Sequence, residues 1–344
     1  MSYVYYINAY LPGFVFGHLI LVSSLFSGCI DHVSIPASND GNTDSSSALL
    51  EQRESESITD FRLLDDQVLE DIGVSSNVGI ETDIGVDLGP PENCLLCQDR
   101  ATLTDGLNTI SIPLQISPIE ADYSIYIPIL WTSDQGRSSN PEAGISGHLV
   151  PGIMGYINGS RISVWGHDGL LTDELDSLPD SHLFRIRLMH WLLGANGNKI
   201  GFLGGHREWL NVDSFSNRLR TELIDEGVSF QTLVAPLQES ALDFIDTLII
   251  GNPWDEVSTV ELDLIMDWLA TGRGLIIFGC QWSWEAYNPV DDLSYPYAIS
   301  ELGQRLGWSF YSGVIIDPNS PTEPHTQPTY RVHSIDDWPH NLPD

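Results

Sequence analysis

The chain has 344 residues, of which 48 are Asp or Glu and 14 are Lys or Arg, giving a formal net charge of −34 at pH 7. That size predicts about two domains, or one domain with appended segments, and a hydrophobic share of 42% is enough for a folded core. The acidity excludes nucleic acid as a partner and leaves no basic patch for an anionic membrane, because both need clustered Lys and Arg.

The first 28 residues carry no charged side chain, and an apolar run from His18 to Phe26 is followed by Ser27-Gly28-Cys29. A short apolar segment followed by small residues is typical of an export signal rather than of a membrane span. With a cysteine directly after the small residues, it resembles a bacterial lipobox, which implies that Cys29 is lipidated. An ordinary cleaved signal is the alternative, and the missing positive charge before the apolar run departs from both patterns.

Residues 30–100 are rich in Ser, Asp, Glu and Asn, which predicts a disordered acidic tether. Cys94 and Cys97 stand close together near its end, and no second Cys pair completes a zinc site. In an exported protein this spacing favours a local disulfide that fastens the tether to the following domain.

Residues 101–318 show apolar runs that alternate with amphipathic segments, which predicts an α/β domain. The predicted strands are 110–116, 123–131, 161–165, 199–204, 230–234, 247–250, 274–278 and 309–316. The predicted helices are 182–193, 214–227 with Ser214 as a possible N-cap, 258–271 with a capping box of Ser258 and Glu261, and 298–306.

Strands that alternate with helices predict a mostly parallel sheet covered by helices on both faces. In such sheets ligands bind beyond the carboxyl ends of the strands. Four predicted strands are followed there by polar or aromatic residues, namely His167 and Asp168; His206, Arg207 and Glu208; Asn252 and Trp254; and Cys280, Gln281, Trp282 and Trp284. We expect these side chains to share one crevice.

Residues 120–318 resemble the class I glutamine-amidotransferase-like domain that precedes the metallopeptidase unit of enhancin- and mucinase-like proteins and also occurs in TRP-channel-associated factors. The segments that carry the resemblance are RISVWGHDGLL, HWLLGANGNKIGFLGGH, YPYAISELGQRLGWSF and the long run from IDTLIIGNPW to QWSWEAYNP. The resemblance implies a flavodoxin-like fold and a domain that usually lacks the glutaminase triad. The peptidase motif H-E-x-x-H does not occur in the printed sequence, so no peptidase activity is inferred, although a truncated enhancin-like metallopeptidase remains an alternative.

Two enzymatic hypotheses compete with binding. Cys280 follows a predicted buried strand, and either His206 or His167 could serve as its base, with Glu208 or Asp168 as the orienting group. Against this, Trp282 occupies the position where a nucleophile elbow needs a small residue, and His206 precedes the cysteine in the chain. The second hypothesis is a zinc site at which His167, Asp168, His206 and Glu208 converge. We predict neither a metal nor a cofactor.

The favoured interpretation is a binding domain whose aromatic and amide side chains at the strand ends contact a glycan or a protein. Packing of the same tryptophans into the fold is the alternative. The predicted organisation is a signal over residues 1–29, the tether over 30–100, the α/β domain over 101–318 and a Pro-rich tail over 319–344. The predicted location is the bacterial cell envelope, at the periplasmic or surface face of the outer membrane. Contact with the membrane is predicted only through the lipid on Cys29.

Overall fold

A computed structural model describes residues 94–113, 115–288, 297–320, 329–334 and 337. The predicted signal, Cys29 and the tether up to residue 93 lie outside these residues, as does most of the predicted tail. None of the helices in the described part of the chain is long and apolar enough to cross a membrane.

The described residues form seven α-helices and thirteen strands, most of them short. The helices are α1 (Leu95–Thr104), α2 (Pro179–Leu193), α3 (Asn217–Asp225), α4 (Glu239–Leu242), α5 (Thr259–Leu269), α6 (Gln281–Tyr287) and α7 (Ser300–Leu306). The strands are β1 (Thr109–Ser111), β2 (Ile119–Ala121), β3 (Tyr126–Leu130), β4 (Arg137–Ser138), β5 (Gly152–Ile157), β6 (Ser160–Trp165), β7 (Lys199–Gly204), β8 (Ser229–Val234), β9 (Thr247–Gly251), β10 (Gly274–Phe278), β11 (Trp308–Phe310), β12 (Ile315–Ile316) and β13 (Thr329–Arg331).

Seven strands form the central sheet in the order β3-β5-β6-β10-β9-β7-β8. The five strands from β6 to β8 run parallel to their neighbours, and β5 and β3 extend the sheet with antiparallel pairs. The predicted α/β class and the mostly parallel sheet are therefore confirmed.

Helices cover both faces of this sheet because alternate residues of each strand point to opposite sides. Ile276 of β10 belongs to an apolar cluster that includes residues of α1, α2 and α3. Its neighbours Leu275 and Ile277 belong to a second cluster with residues of α4, α5 and α7. The wholly buried strands β9 and β10 are thus shielded on both sides, as their continuous apolar sequences predict.

The helix start signals are partly as predicted. Ser258 and Glu261 form the expected capping box of α5, in which each side chain binds the backbone of the other residue. Ser214, the predicted N-cap of the helix expected over residues 214–227, is wrong, because Ser216 caps α3. The hydroxyl of Ser214 instead accepts a hydrogen bond from the backbone of Asn211.

Several predicted elements differ in the structure. Strand β5 and helix α6 were not predicted, and the strand expected over residues 309–316 is two short strands, β11 and β12. The strand expected over 110–116 is reduced to β1. Because Trp282 and Trp284 lie on α6, they are helical residues rather than the loop residues that the sequence suggested.

The folded domain is longer at both ends than the predicted boundaries. Helix α1 begins within the predicted tether, yet Arg100 on it is buried and donates hydrogen bonds to the carbonyls of Pro128, Ile129 and His333. Strand β13 lies within the predicted tail, yet it pairs with β1. Cys94, directly before α1, and Cys97, within it, form a disulfide with an S–S distance of 2.12 Å.

Candidate functional site

Four neighbouring parallel strands end at the same edge of the sheet, and polar residues follow each of them. In the order β6, β10, β9 and β7, the residues after the strands are His167 with Asp168, Cys280, Asn252 and His206. All five are buried. The strand order therefore places the predicted candidates in one row, as expected from the carboxyl ends of parallel strands.

Asp168 lies at the centre of the first part of this row. Its Oδ1 is 3.9 Å from the Cys280 Sγ and 3.3 Å from the His167 Nδ1. Burial raises the pKa of the Asp168 carboxyl above its usual value, while the nearby His167 and Asn252 oppose that shift. The backbone N–H groups of Asp168 and Gly169 also favour the charged form, so hydrogen bonds compensate part of the cost of burying this carboxylate.

Asn252 lies between the residues that follow β6 and β10 and those that follow β7. Its Oδ1 accepts a hydrogen bond of 2.5 Å from the Tyr297 hydroxyl, and that hydroxyl accepts one of 3.0 Å from the Cys280 N–H. Its backbone carbonyl faces the Trp209 N–H at 3.4 Å. Asn252 adopts a left-handed backbone with φ 56°, which asparagine tolerates better than most residues.

Cys280 does not have the geometry of an activated nucleophile. Its backbone angles, φ −127° and ψ 71°, are not those of a strained left-handed turn, and only 1% of the residue is exposed. Gly279 is required for a different reason, because a Cβ there would lie 2.3 Å from the Phe310 ring. The glycine before the cysteine thus serves the packing of Phe310.

His206 and Glu208, the predicted base and orienting group, are engaged in local structure. The His206 ring interacts with the Glu256 carbonyl at 3.0 Å and with Glu261 Oε1 at 3.2 Å. The Glu208 carboxylate accepts hydrogen bonds from the N–H groups of Gly205 and His206. These contacts explain both side chains without a ligand.

The structure does not bring together the four residues of the zinc hypothesis, namely His167, Asp168, His206 and Glu208. Among the described residues, the one group of His, Cys, Asp and Glu side chains close enough to hold an ion is His167, Asp168 and Cys280. Its three ligand atoms lie within 4.8 Å of one another. Strand adjacency decides this set, since β6 and β10 are neighbours.

Asn252 and His206, the part of the row that follows β9 and β7, lie at the point where the strand order reverses. From β7 the chain passes to β8 on one side and then returns to β9 on the other. In open α/β sheets, ligands bind at such a switch point. The loop after β7 and the loop after β9 meet there, because the N–H groups of Trp254 and Asp255 both bind the His206 carbonyl.

Three aromatic rings form a cluster on these loops and on the end of α6. The Trp254 ring lies 5.8 Å from that of Trp209 and 5.2 Å from that of Tyr287, measured between centroids. Both tryptophans are half-buried and Tyr287 is 55% exposed. We call these three residues the aromatic cluster. Trp209 was missed in the sequence because its importance depends on β7 lying beside β9.

The other predicted contact residues are distributed around this cluster. Arg207 is exposed, has a left-handed backbone with φ 54°, and forms an ion pair with Asp255. Gln281 donates a hydrogen bond to Glu285 along α6. Trp284 faces inward and contacts the Tyr297 ring at 6.1 Å, as the packing alternative predicted. Trp282 is half-buried, and its backbone N–H lies 3.4 Å from the Ser117 hydroxyl.

Four buried polar atoms near the strand ends make no hydrogen bond to the described part of the chain. They are Asn252 Nδ2, Trp254 Nε1, Trp282 Nε1 and Ser283 Oγ. Buried donors without acceptors are costly and are found at sites that receive a ligand or water more often than in plain cores. Their concentration beside both halves of the row marks this edge of the sheet as the candidate site.

No model of a protein family and no curated protein matches the sequence. Three solved structures are similar to the chain at low identity. The IMPa metallopeptidase from Pseudomonas aeruginosa is 15% identical over 70% of this chain and 24% of its own, with a TM-score of 0.42. Its complex with T-antigen is 14% identical over 62% and 22%, with a TM-score of 0.42. IMPa from Pseudomonas aeruginosa in complex with an O-glycopeptide is 15% identical over 54% and 20%, with a TM-score of 0.37.

The chain therefore spans between a fifth and a quarter of the length of these structures. At such TM-scores, function has to be drawn from this chain's own residues.

Proposed function

We propose that this domain is a binding module and that it holds a glycan at the aromatic cluster of Trp209, Trp254 and Tyr287. The observation that carries the proposal is the position of the cluster, since three contacting rings stand at the switch point of the sheet. That is the place where open α/β sheets bind small ligands.

The chemistry of the cluster suits a neutral sugar. Aromatic rings present flat apolar faces, and the polar edges of Trp and Tyr donate hydrogen bonds. Arg207 is the positively charged residue among the predicted contacts, and it is already paired with Asp255. A net charge of −34 also opposes polyanionic ligands. A protein partner that uses the same rings is the second ligand class.

The amidotransferase-like resemblance and the envelope location belong to the same proposal. In this proposal an exported chain, lipidated at Cys29, carries a domain of amidotransferase-like type that binds rather than hydrolyses. The buried, unstrained Cys280 supports a role other than that of a nucleophile. The support for the lipid anchor is the sequence motif at Ser27-Gly28-Cys29.

Isothermal titration of the full chain with three probes tests the binding role. The probes are T-antigen, an O-glycopeptide and the same peptide without its glycan. Binding of the first two alone supports a glycan ligand. Equal binding of both peptides assigns the site to a protein partner, and binding of none of the three overturns the proposal.

Substitutions then locate the site. Tyr287→Ala is expected to weaken binding about three- to tenfold, because one ring contact contributes about 0.5–1.5 kcal/mol. Phe244→Ala is the matched control, since Phe244 is 63% exposed and lies just before β9, at the opposite edge of the sheet. An equal loss in both variants would show that the cluster is not the site.

A further inference from the structure

We propose that His167, Asp168 and Cys280 form a zinc site, separate from the aromatic cluster. The three side chains come from the ends of the adjacent strands β6 and β10 and offer one nitrogen, one oxygen and one sulfur ligand. This mixed set is what Zn²⁺ accepts, because it is a borderline-soft ion bound by Cys, His and carboxylate groups.

The distances fit an ion bound by all three groups. Ligand atoms held at about 2.0–2.3 Å by one tetrahedral zinc lie about 3.3–3.8 Å apart. The Asp168 Oδ1 is 3.3 Å from the His167 Nδ1 and 3.9 Å from the Cys280 Sγ. All three ligand atoms lie within 4.8 Å of one another, so binding of an ion would draw the widest pair together by up to about 1 Å.

The hydrogen bonding is compatible with a cation in this position. The Gly169 N–H donates to His167 Nδ1, so that nitrogen carries a lone pair and no proton. The same nitrogen faces the Asp168 carboxylate, another acceptor, at 3.3 Å. Two acceptors at this distance repel each other unless a proton or a metal ion lies between them. A bound zinc replaces the Gly169 hydrogen bond to Nδ1 with a coordinate bond.

Burial makes the requirement stronger. His167, Asp168 and Cys280 are 6%, 5% and 1% exposed. A divalent ion balances the charges of a carboxylate and a thiolate, whereas a shared proton neutralises the carboxylate alone.

A neighbouring side chain borders the fourth position. Three protein ligands leave one tetrahedral position open. The Asn252 side chain is fully buried, its Oδ1 accepts from the Tyr297 hydroxyl, and its amide group faces Asp168. The Asn252 amide therefore lies beside the position that a water or another ligand atom would occupy.

Cobalt titration of the full chain tests the proposal. A Cys29→Ser background removes the second thiol, since Cys94 and Cys97 are joined to each other. After chelator treatment, Co²⁺ is expected to give a thiolate-to-cobalt charge-transfer band that saturates at about one equivalent. Zinc is expected to displace the cobalt and abolish the band.

Variants assign the ligands. Cys280→Ser and His167→Gln are expected to lose the band, and Asp168→Asn to weaken cobalt binding at least about tenfold. His190→Gln is the matched control, because His190 is exposed on α2 and is outside the trio. The absence of a band in the parent, which would leave a proton between His167 and Asp168, overturns the proposal, as does a band that survives Cys280→Ser. Neither result bears on glycan binding, which Tyr287→Ala tests separately.

Discussion

His206 and Glu261 form a buried pair that joins three separate segments. The His206 ring lies 3.2 Å from Glu261 Oε1, and the same oxygen accepts the Leu237 N–H at 2.9 Å. The other oxygen of Glu261 accepts both the N–H and the hydroxyl of Ser258. One carboxylate thus holds the loop after β7, the loop after β8 and the start of α5 together.

We predict that Glu261→Gln lowers the free energy of unfolding by about 1–3 kcal/mol at neutral pH, because the charged hydrogen bonds are lost. Urea unfolding of the variant and the parent measures this difference. Glu256→Gln is the control, since it removes the same charge from an exposed side chain nearby. Equal losses in the two variants would contradict the role given to Glu261.

The same pair predicts an acid dependence. Burial alone would raise the pKa of Glu261, but hydrogen bonds from Leu237 and Ser258 and the proximity of His206 hold it below the usual 4.5. The stabilisation is therefore complete above that value and is lost as the pH falls through the lower, folded-state pKa. Unfolding curves measured across this acidic range should show the parent losing more stability than Glu261→Gln.

Arg100 is the basis of a second stability prediction. Its guanidinium binds three backbone carbonyls and lies 5.0 Å from the centre of the Trp131 ring, and burial lowers its pKa to about 10, so it stays charged at neutral pH. Arg100→Ala should cost about 3 kcal/mol, because buried carbonyls lose their donors. Thermal unfolding of both variants measures the difference, and Arg137→Ala, at an exposed position, should cost less than about 0.5 kcal/mol.

Gly251 at the end of β9 predicts a steric effect at the switch point. A Cβ there would lie 1.9 Å from the Leu210 carbonyl oxygen, which is backbone and cannot rotate away. Gly251→Ala should destabilise by about 3 kcal/mol and change the fluorescence of the neighbouring Trp209 and Trp254. Gly106→Ala is the comparison. A Cβ at Gly106 would meet open space, so the positive φ is the only source of strain and should cost about 1–2 kcal/mol. A fold that tolerates both changes equally would refute the close contact.

The sequence motif at Cys29 gives a prediction about lipid attachment. A chain with Cys29 should incorporate labelled palmitate in a bacterial host and fractionate with membranes, whereas Cys29→Ser should do neither. Cys280→Ser is the control, because it replaces a different cysteine and leaves the motif at Cys29 intact, so this variant should still be labelled. Label that is absent from the parent would end the lipoprotein interpretation.

The central strands could be predicted because β6, β7, β9 and β10 are apolar runs with clear turn residues after them. The capping box of α5 was equally clear, since it depends on residues three positions apart. Helix α6 could not be predicted, because it is only seven residues long and rich in Trp. Local sequence identified the elements that depend on local interactions.

The site was harder to predict because it depends on which strands are neighbours. Asp168 and Cys280 are 112 positions apart, and only the pairing of β6 with β10 brings them together. The pairing of β7 with β9 likewise brings Trp209 to Trp254. Sequence order suggested that His206 and Glu208 would join the first group, but their backbone and Glu261 contacts occupy them.

Asn252 separates the two groups of side chains and touches both. Its carbonyl meets Trp209 on one side, and its amide lies against Asp168 on the other. A change at this one position would disturb both neighbourhoods together, so natural or engineered variation cannot adjust either independently through Asn252. Because Asn252 contacts both groups, a substitution there would be expected to alter the His167, Asp168 and Cys280 trio and the aromatic cluster at the same time.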